Sequence, residues 1–401
     1  MGLWWLVGRS AFAIYKRYVL LLAYLVVLLL TAGGAQQPAV VILQFGSLLA
    51  VVVFFIACME GHLDVQGINL KAIQITSIAL ILICLGSLVL YEISPMSTFD
   101  LESESSDGVR RFRGLLGEPG ELGSIAGVLL GLSLFASGGL LRRLIGVAVS
   151  VPCLYMTGSR TFWAAAVVAM TCTAIFYIRR KAVAVAIGLV SLTVVALLFM
   201  VGNVQVSSDT EARILRKDSL SNMSGRTKIW EAAYIRFFDR PILGYGFTQG
   251  HTAFEKSTTN ELQVLQNDDS SSHGERKYDP TLHSGYIQAL VDSGAMGAVL
   301  YMSIILFSIW YVLRYDTDRI FGTVLYSLVF ISIANGGESI IFAASGFSSV
   351  FYWYNAVLAF SLRRAAEPLR IEALPPSYEP QPPPGRYPLL STPRQPTPRV
   401  Q

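Results

Sequence analysis

The sequence predicts an all-α polytopic membrane protein with about ten transmembrane helices and a large outer loop containing short helices. Three observations predict it. Of 401 residues, 53% are hydrophobic and only 14% charged, and the mean hydropathy is +0.51. A soluble domain carries about 25% charged residues, so this chain cannot cover a water-facing surface in the ordinary way. Apolar runs of membrane-spanning length recur along it, and Lys and Arg divide unequally between alternate loops. A simple soluble enzyme, a disordered chain and a fibrous repeat are excluded by the same figures. The net charge of +4 is small, and its placement matters more than its sum.

A spanning helix needs roughly 20 mostly apolar residues. That length picks out 18–34, 38–59, 72–91, 122–140, 143–158, 160–178, 182–202, 285–313, 320–337 and 346–362. Irregular backbone facing lipid is too costly, so these runs are expected to be helices. Spans one to three occupy 1–91, an outer loop 92–121, spans four to seven 122–202, the large outer loop 203–284, and spans eight to ten 285–362. A proline-rich tail fills 363–401.

Orientation follows from the basic residues of the short loops. With the N-terminus inside, the inner loops hold Arg9, Lys16, Arg17, Lys71, Arg142, Arg143, Arg179, Arg180, Lys181, Arg314 and Arg319. The short outer loops hold Arg110, Arg111, Arg113 and Arg160. This bias puts both termini in the cytoplasm. Residues 1–35 also carry the basic, apolar and small-residue stretches of a signal peptide, but the apolar run is long for one and a retained first helix is expected. Within 203–284, mobility is expected for 257–279, where Asp268, Asp269 and three serines gather.

Eleven of the seventeen prolines fall in the last 37 residues, which are expected to be extended, solvated and disordered. Within them Pro375-Pro376-Ser377-Tyr378 has the form of a WW-domain ligand, although a plain cytoplasmic tail explains it as well. Cys58, Cys84, Cys153 and Cys172 all lie in spans, as buried small hydrophobes do. His62, His251, His273 and His283 show no zinc spacing, and the Asp316/Asp318 pair sits in an inner loop, so no metal is expected. No phosphate-binding glycine loop with its lysine occurs. Gly244-Tyr245-Gly246 lacks the third glycine of a dinucleotide site, so no cofactor is expected and any chemistry must draw on an activated substrate.

The residues able to carry chemistry lie in the outer loops. Residues 226–238 read as an amphipathic helix after Ser224 as N-cap. Arg226 falls on the face of Trp230, Ala233 and Phe237, aimed either at lipid phosphate or at a bound anion. Pro241 ends that helix, and Gly244 and Gly246 allow tight turns near a ligand. His283 heads a long apolar helix on which Gly294, Gly297 and Ala298 form a small-residue packing face. A helix N-terminus favours anions and disfavours an imidazolium, which suits a histidine there to accept a proton. Arg160, in Thr157-Gly158-Ser159-Arg160-Thr161, is held against the bilayer, where an arginine calls for an anionic partner. Arg110, Arg111 and Arg113 precede Glu118 and Glu121, two acids that either cap a helix or orient an acceptor hydroxyl. Guanidinium forks suit a diphosphate, and a lipid-linked pyrophosphate handled from the outside fits the set.

Four stretches in order carry a family resemblance: RFRGLLGEPGELG (111–123), TGSRT (157–161), GRTKIWEAA (225–233) with RPILGYGF (240–247), and HSGYIQALVDSG (283–294). Together they resemble the O-antigen polymerase and O-antigen ligase superfamily of bacterial envelope glycan assembly. The last follows its H-[NSQ]-x-x-L-x₆-G pattern with Ile287 in place of leucine. The likeness runs from about residue 110 to 313; the first three spans and the tail add nothing to it.

The resemblance implies a metal-independent inverting glycosyltransferase of the bacterial inner membrane, with 203–284 as a periplasmic loop. Its donor would be an undecaprenyl-diphosphate-linked oligosaccharide, bound at the diphosphate by Arg160 and Arg226. His283 would act as base on the acceptor hydroxyl or help position the diphosphate. Arg111, Arg113, Glu118, Glu121, Arg240, Gly244, Gly246 and Tyr286 would line the substrate. The glycan acceptor would be another lipid-linked repeat unit in a polymerase, or lipid A–core in a ligase. Flippase and chain-length regulator proteins would work beside it, and no nucleic acid is expected. Glu118-Pro119-Gly120-Glu121 looks like the form found in capsule and exopolysaccharide polymerases, with Gly120 where that form has serine. A lipid-oligosaccharide transporter is the competing class, but its polar site would lie at mid-membrane, often in broken helices of internal repeats.

Overall fold

A computed structural model describes residues 2–61, 65–99, 111–136, 138–177, 226–250, 252, 282–315, 321–341 and 346–366. Ten α-helices are found among them: α1 (Gly2–Leu30), α2 (Pro38–Gly61), α3 (Val65–Ile93), α4 (Pro119–Phe135), α5 (Leu140–Met156), α6 (Arg160–Tyr177), α7 (Arg226–Asp239), α8 (Gly285–Tyr315), α9 (Phe321–Ala334) and α10 (Phe347–Ala366). The only β pairing in this part is an isolated bridge between Phe99 and Phe112. Nine of the ten expected spans overlap helices, and the short helix expected over 226–238 is α7, its expected N-cap Ser224 lying outside the described residues. The seventh span (182–202), the 257–279 stretch, Arg110, Arg179–Lys181, His62, His251, His273, Asp316, Asp318 and the tail beyond 366 lie outside the described residues.

Among the described residues, four helices combine the length and hydropathy of a membrane crossing: the segments Tyr15–Gly34, Pro38–Glu60, Asn69–Ile93 and Gly285–Arg314. Three further apolar helices, α4, α6 and α9, are shorter. Every residue of α9 except Ile333 is buried, as are thirteen residues of α4. A helix apolar all round belongs inside a bundle, and these two form its centre. They meet through a glycine ladder, Gly123, Gly127 and Gly131, one turn apart on α4. A Cβ on Gly127 would overlap the Phe330 ring, one on Gly131 the Tyr326 ring, and one on Gly123 would sit 2.6 Å from Phe162 of α6. The Tyr326 hydroxyl donates to the Gly127 carbonyl at 3.0 Å. Small residues let backbones and rings approach this closely where lipid supplies no hydrophobic drive.

The longer helices surround this centre. α1 packs on α8, and Tyr24 lies between Tyr301 and Trp353 at ring-centroid distances of 6.0 and 6.1 Å. Large exposed apolar side chains form rows on α1, α2, α3, α5, α6 and α8, among them Leu43, Phe54, Ile75, Leu82, Leu141, Val168 and Leu306. In water such a surface would aggregate; in a bilayer it is solvated. The chain is a membrane protein on this evidence.

Two basic residues assigned to inner loops, Arg17 within α1 and Arg143 in the first turn of α5, have partners near the C-terminal ends of α2 and α4. Arg17 donates to both carboxylate oxygens of Glu60, at 2.6 and 2.7 Å, and Arg143 donates to the Ser133 and Leu134 carbonyls at 3.0 and 2.5 Å, closing the C-terminus of α4. All four cysteines are free thiols, Cys84 and Cys153 fully buried.

Candidate functional site

The site end of the molecule is organised by a break in α8. Gly294 has φ 64° and ψ −170°, a conformation open to glycine almost alone. The helix ladder is interrupted there, and the segment after α7 supplies the missing partners. Tyr245 and Gly246 donate backbone N–H groups to the Val291 and Asp292 carbonyls at 3.0 and 2.9 Å, while Ala295 and Met296 donate to the Pro241 and Ile242 carbonyls at 2.8 and 3.4 Å. The Arg240–Phe247 motif is thus stitched into the end of the His283–Gly294 motif. This corrects the reading of Gly294 as one of a row of small packing residues on an unbroken helix.

The same exchange accounts for the motif glycines. Gly244 has φ 67°, and a Cβ there would overlap the Val291 carbonyl; Gly246 has φ 115°, and its Cβ would meet Ala35 at 2.6 Å. At both positions another stretch of chain occupies the space that a side chain would need. Arg240 donates to the Gly34 carbonyl and lies 4.9 Å from the Tyr245 ring centroid, which ties the α1–α2 turn to this loop. Phe247 N–H donates to Thr31 Oγ1 at 3.0 Å in the same turn. Burial raises the Tyr245 phenol above its ordinary range, with Asp239 adding to the shift, so it stays neutral and donates to Asp239 at 3.2 Å.

His283 sits two residues before α8, separated from it by Ser284, at φ 45°. Positive φ is uncommon outside glycine, and Thr248 (φ 61°) shares it nearby, its N–H held by the buried Asp292 carboxylate at 2.9 Å. Such strain persists only when surroundings over-determine it, and for His283 the surroundings are plain. The carbonyl of Leu282 accepts the Trp230 indole N–H at 2.9 Å, and Gly285 N–H donates to the Asn335 carbonyl at 2.9 Å. Asn335, wholly buried, also donates to the Tyr301 hydroxyl and accepts from the N–H groups of Ile340 and Ile341. The turn that Asn335 shapes presents Glu338, whose Oε2 lies 3.7 Å from His283 Nδ1. Both side chains are partly exposed.

That turn also reaches α6. A Cβ at Gly337 would lie 2.6 Å from Thr161 Oγ1, next to Arg160, which is exposed at the first position of α6. The 111–121 stretch joins the group from the other side. Phe112, packed against Tyr91 and Phe99, donates its N–H to the Met156 carbonyl at the end of α5, which holds the half-buried Arg111 and Arg113 beside the 157–160 turn. Glu118 occupies the N-cap position of α4 but its carboxylate does not cap, and both it and Glu121 are exposed. Ser348 of α10 donates to Ser124 of α4 at 2.8 Å.

Four helix N-termini, those of α4, α6, α8 and α10, therefore gather at one end with arginines, a histidine and three carboxylates. Helix N-termini carry about half a positive charge each, and with guanidinium groups they make an environment for an anion. Arg226 begins α7 one turn before Trp230, so the Trp230–Leu282 bond brings that helix to the His283 segment. Tyr286 turns away, its hydroxyl donating to the Ser332 carbonyl at 2.5 Å. Sequence reasoning misses Asn335, Glu338 and Asp292 and reads Trp230 only as part of an apolar helix face. Asn335-Gly336-Gly337-Glu338 does show as a polar interruption after an apolar run, the one signal that could have found two of them. Among the described residues no group of three or more His, Cys, Asp or Glu side chains converges.

Residues 145–302 match the family model described as O-antigen ligase. The matched part runs from α5 into α8 and contains Arg160, Arg226, Arg240 and His283; Arg111, Arg113, Glu118, Glu121 and Glu338 lie outside it. No curated protein matches the chain.

Proposed function

We propose, from the match of residues 145–302 to the O-antigen ligase family model, that the chain belongs to the O-antigen ligase and polymerase superfamily and polymerises undecaprenyl-diphosphate-linked oligosaccharide repeat units into a surface polysaccharide. The observation that carries the reading is the joining of His283, Glu338 and the Arg160 helix start through one turn, 335–338. In the reaction, an acceptor hydroxyl oxygen attacks the anomeric carbon of the donor sugar and the bond from that carbon to the diphosphate oxygen breaks. His283 takes the hydroxyl proton, and Glu338, facing Nδ1, leaves Nε2 to receive it. Arg160 and Arg226 neutralise the charge that builds on the departing undecaprenyl diphosphate. No metal has a part in these steps, and inversion at carbon follows from a single displacement.

Glu118-Pro119-Gly120-Glu121 supports polymerase; the match to the O-antigen ligase family supports the second reading, a ligase transferring glycan to lipid A–core. The membrane would be the bacterial inner membrane, with the site end in the periplasm. Purified full-length protein given a lipid-linked repeat unit, without metal or ATP, separates the two. Chain elongation is the expected result; transfer to added lipid A–core instead establishes the ligase, and no product from either acceptor overturns both.

A further inference from the structure

α7 has two apolar sides. Ile229, Trp230 and Ala233 face inward, Ala233 and Ile229 packing with Tyr245, Leu282 and Val291. On the outside Tyr234, Ile235 and Phe238 are 59%, 56% and 59% exposed, and Ile242 just past the helix is 68% exposed. The Tyr234 and Phe238 rings meet edge to face at 4.9 Å. Four large exposed apolar side chains, three on α7 and one just past it, are a costly surface to leave in water.

The register of α8 identifies what covers it. The 31 residues of α8 would reach about 46 Å, well beyond a hydrocarbon core of roughly 30 Å. Its first part, to Gly294, is buried or half-buried; after the break, Met296, Val299, Met302, Leu306, Trp310 and Leu313 form an exposed apolar row. Residues 295–314 alone match one hydrocarbon thickness, so the Gly294 break marks the bilayer boundary. Met296 donates its backbone N–H to the Ile242 carbonyl, which joins the α7 stripe to the top of the lipid-facing row. Arg236 and Arg240 flank the stripe, as basic residues do at an anionic headgroup layer.

We propose that α7 is an interfacial anchor whose Tyr234–Phe238–Ile242 side lies in the headgroup–acyl boundary of the leaflet next to the Gly294 break, the partner being a phospholipid bilayer surface. The anchor fixes the depth of the helix that begins at Arg226 and, through Trp230, of the Leu282–His283 segment. It depends on the membrane reading and not on glycosyl transfer.

The test is photolabelling of the full-length protein in phosphatidylethanolamine/phosphatidylglycerol vesicles doped with diazirine-tailed phosphatidylcholine, with adducts mapped by mass spectrometry. Tyr234, Ile235, Phe238 and Ile242 are expected to label within about twofold of Val299, as an amphipathic helix buried in the interface does, while Ile229 and Ala233 stay unlabelled. Labelling of Val299 without the stripe overturns the proposal. So does cross-linking of the stripe to a second copy of the chain.

Discussion

The indole of Trp230 donates to the carbonyl of Leu282, so the helix that opens with Arg226 is bonded to the residue beside His283. The bond is part-buried and spans 52 positions of sequence. Trp230→Phe keeps most of the ring and removes the donor, leaving a carbonyl in a buried residue short of a partner. A loss of about 1–3 kcal/mol is expected for such an orphan. Thermal melting in detergent checks the stability, and turnover is expected to fall with it, since α7 then holds a looser register. Unchanged melting and turnover would remove the tie from the account.

Gly294→Ala tests the break in α8. The added methyl would have to adopt φ 64° and would overlap the Ile242 carbonyl carbon and oxygen. Strain at such a position costs about 1–3 kcal/mol, and forcing volume into a packed site adds a similar ~1–3 kcal/mol. Gly46→Ala in α2, where a Cβ meets nothing within 4 Å, is the control and is expected to melt at or slightly above the wild-type temperature. Equal melting of the two variants would contradict the exchange of backbone bonds between 241–246 and 291–296.

The apolar runs were legible because a spanning helix reports itself by length and composition. Topology then placed 111–121, the turn around Ser159, 240–246 and 283–284 on one side, and the structure does gather these stretches at one end. What composition could not carry was the pairing of particular backbones. Gly244 and Gly294 read as loop and packing glycines, since nothing local says that one faces the other's strand of chain. Glu338 was invisible for a different reason: it is a lone acid between two apolar runs, given meaning only by the turn that Asn335 folds. The glycines at 123, 127 and 131 were read simply as part of a span, although their one-turn spacing states a packing face.

The arginines separate into two classes that substitution can distinguish. Arg240 is engaged by the Gly34 carbonyl and the Tyr245 ring, so Arg240→Ala is expected to lower the melting temperature and leave the turnover of the remaining folded enzyme close to wild type. Arg160 and Arg226 stand at the first turns of α6 and α7. Arg160→Lys and Arg226→Lys keep the charge but lose the planar fork that matches a diphosphate, and removal of one such stabilising contact costs about 10²–10³-fold in kcat. Full activity in a properly inserted Arg226→Ala protein would remove it from the diphosphate, and a turnover defect in Arg240→Ala as large as that of Arg160→Lys would return Arg240 to the substrate.

His283 and Glu338 are best tested as a pair. His283→Ala removes the proposed base and is expected to lower kcat by ~10²–10⁴-fold, the range general bases supply. Glu338→Gln keeps the shape of the side chain while removing the charge facing Nδ1 at 3.7 Å. If Glu338 acts by orienting the imidazole, its loss is smaller than that of His283→Ala, falls on kcat rather than KM, and adds little once His283 is already alanine. A Glu338 that instead bound the acceptor sugar would raise KM and add its full effect in the His283→Ala background. Steady-state kinetics of the two single variants and the double variant read out the difference, because residues that serve one proton transfer cannot be lost twice.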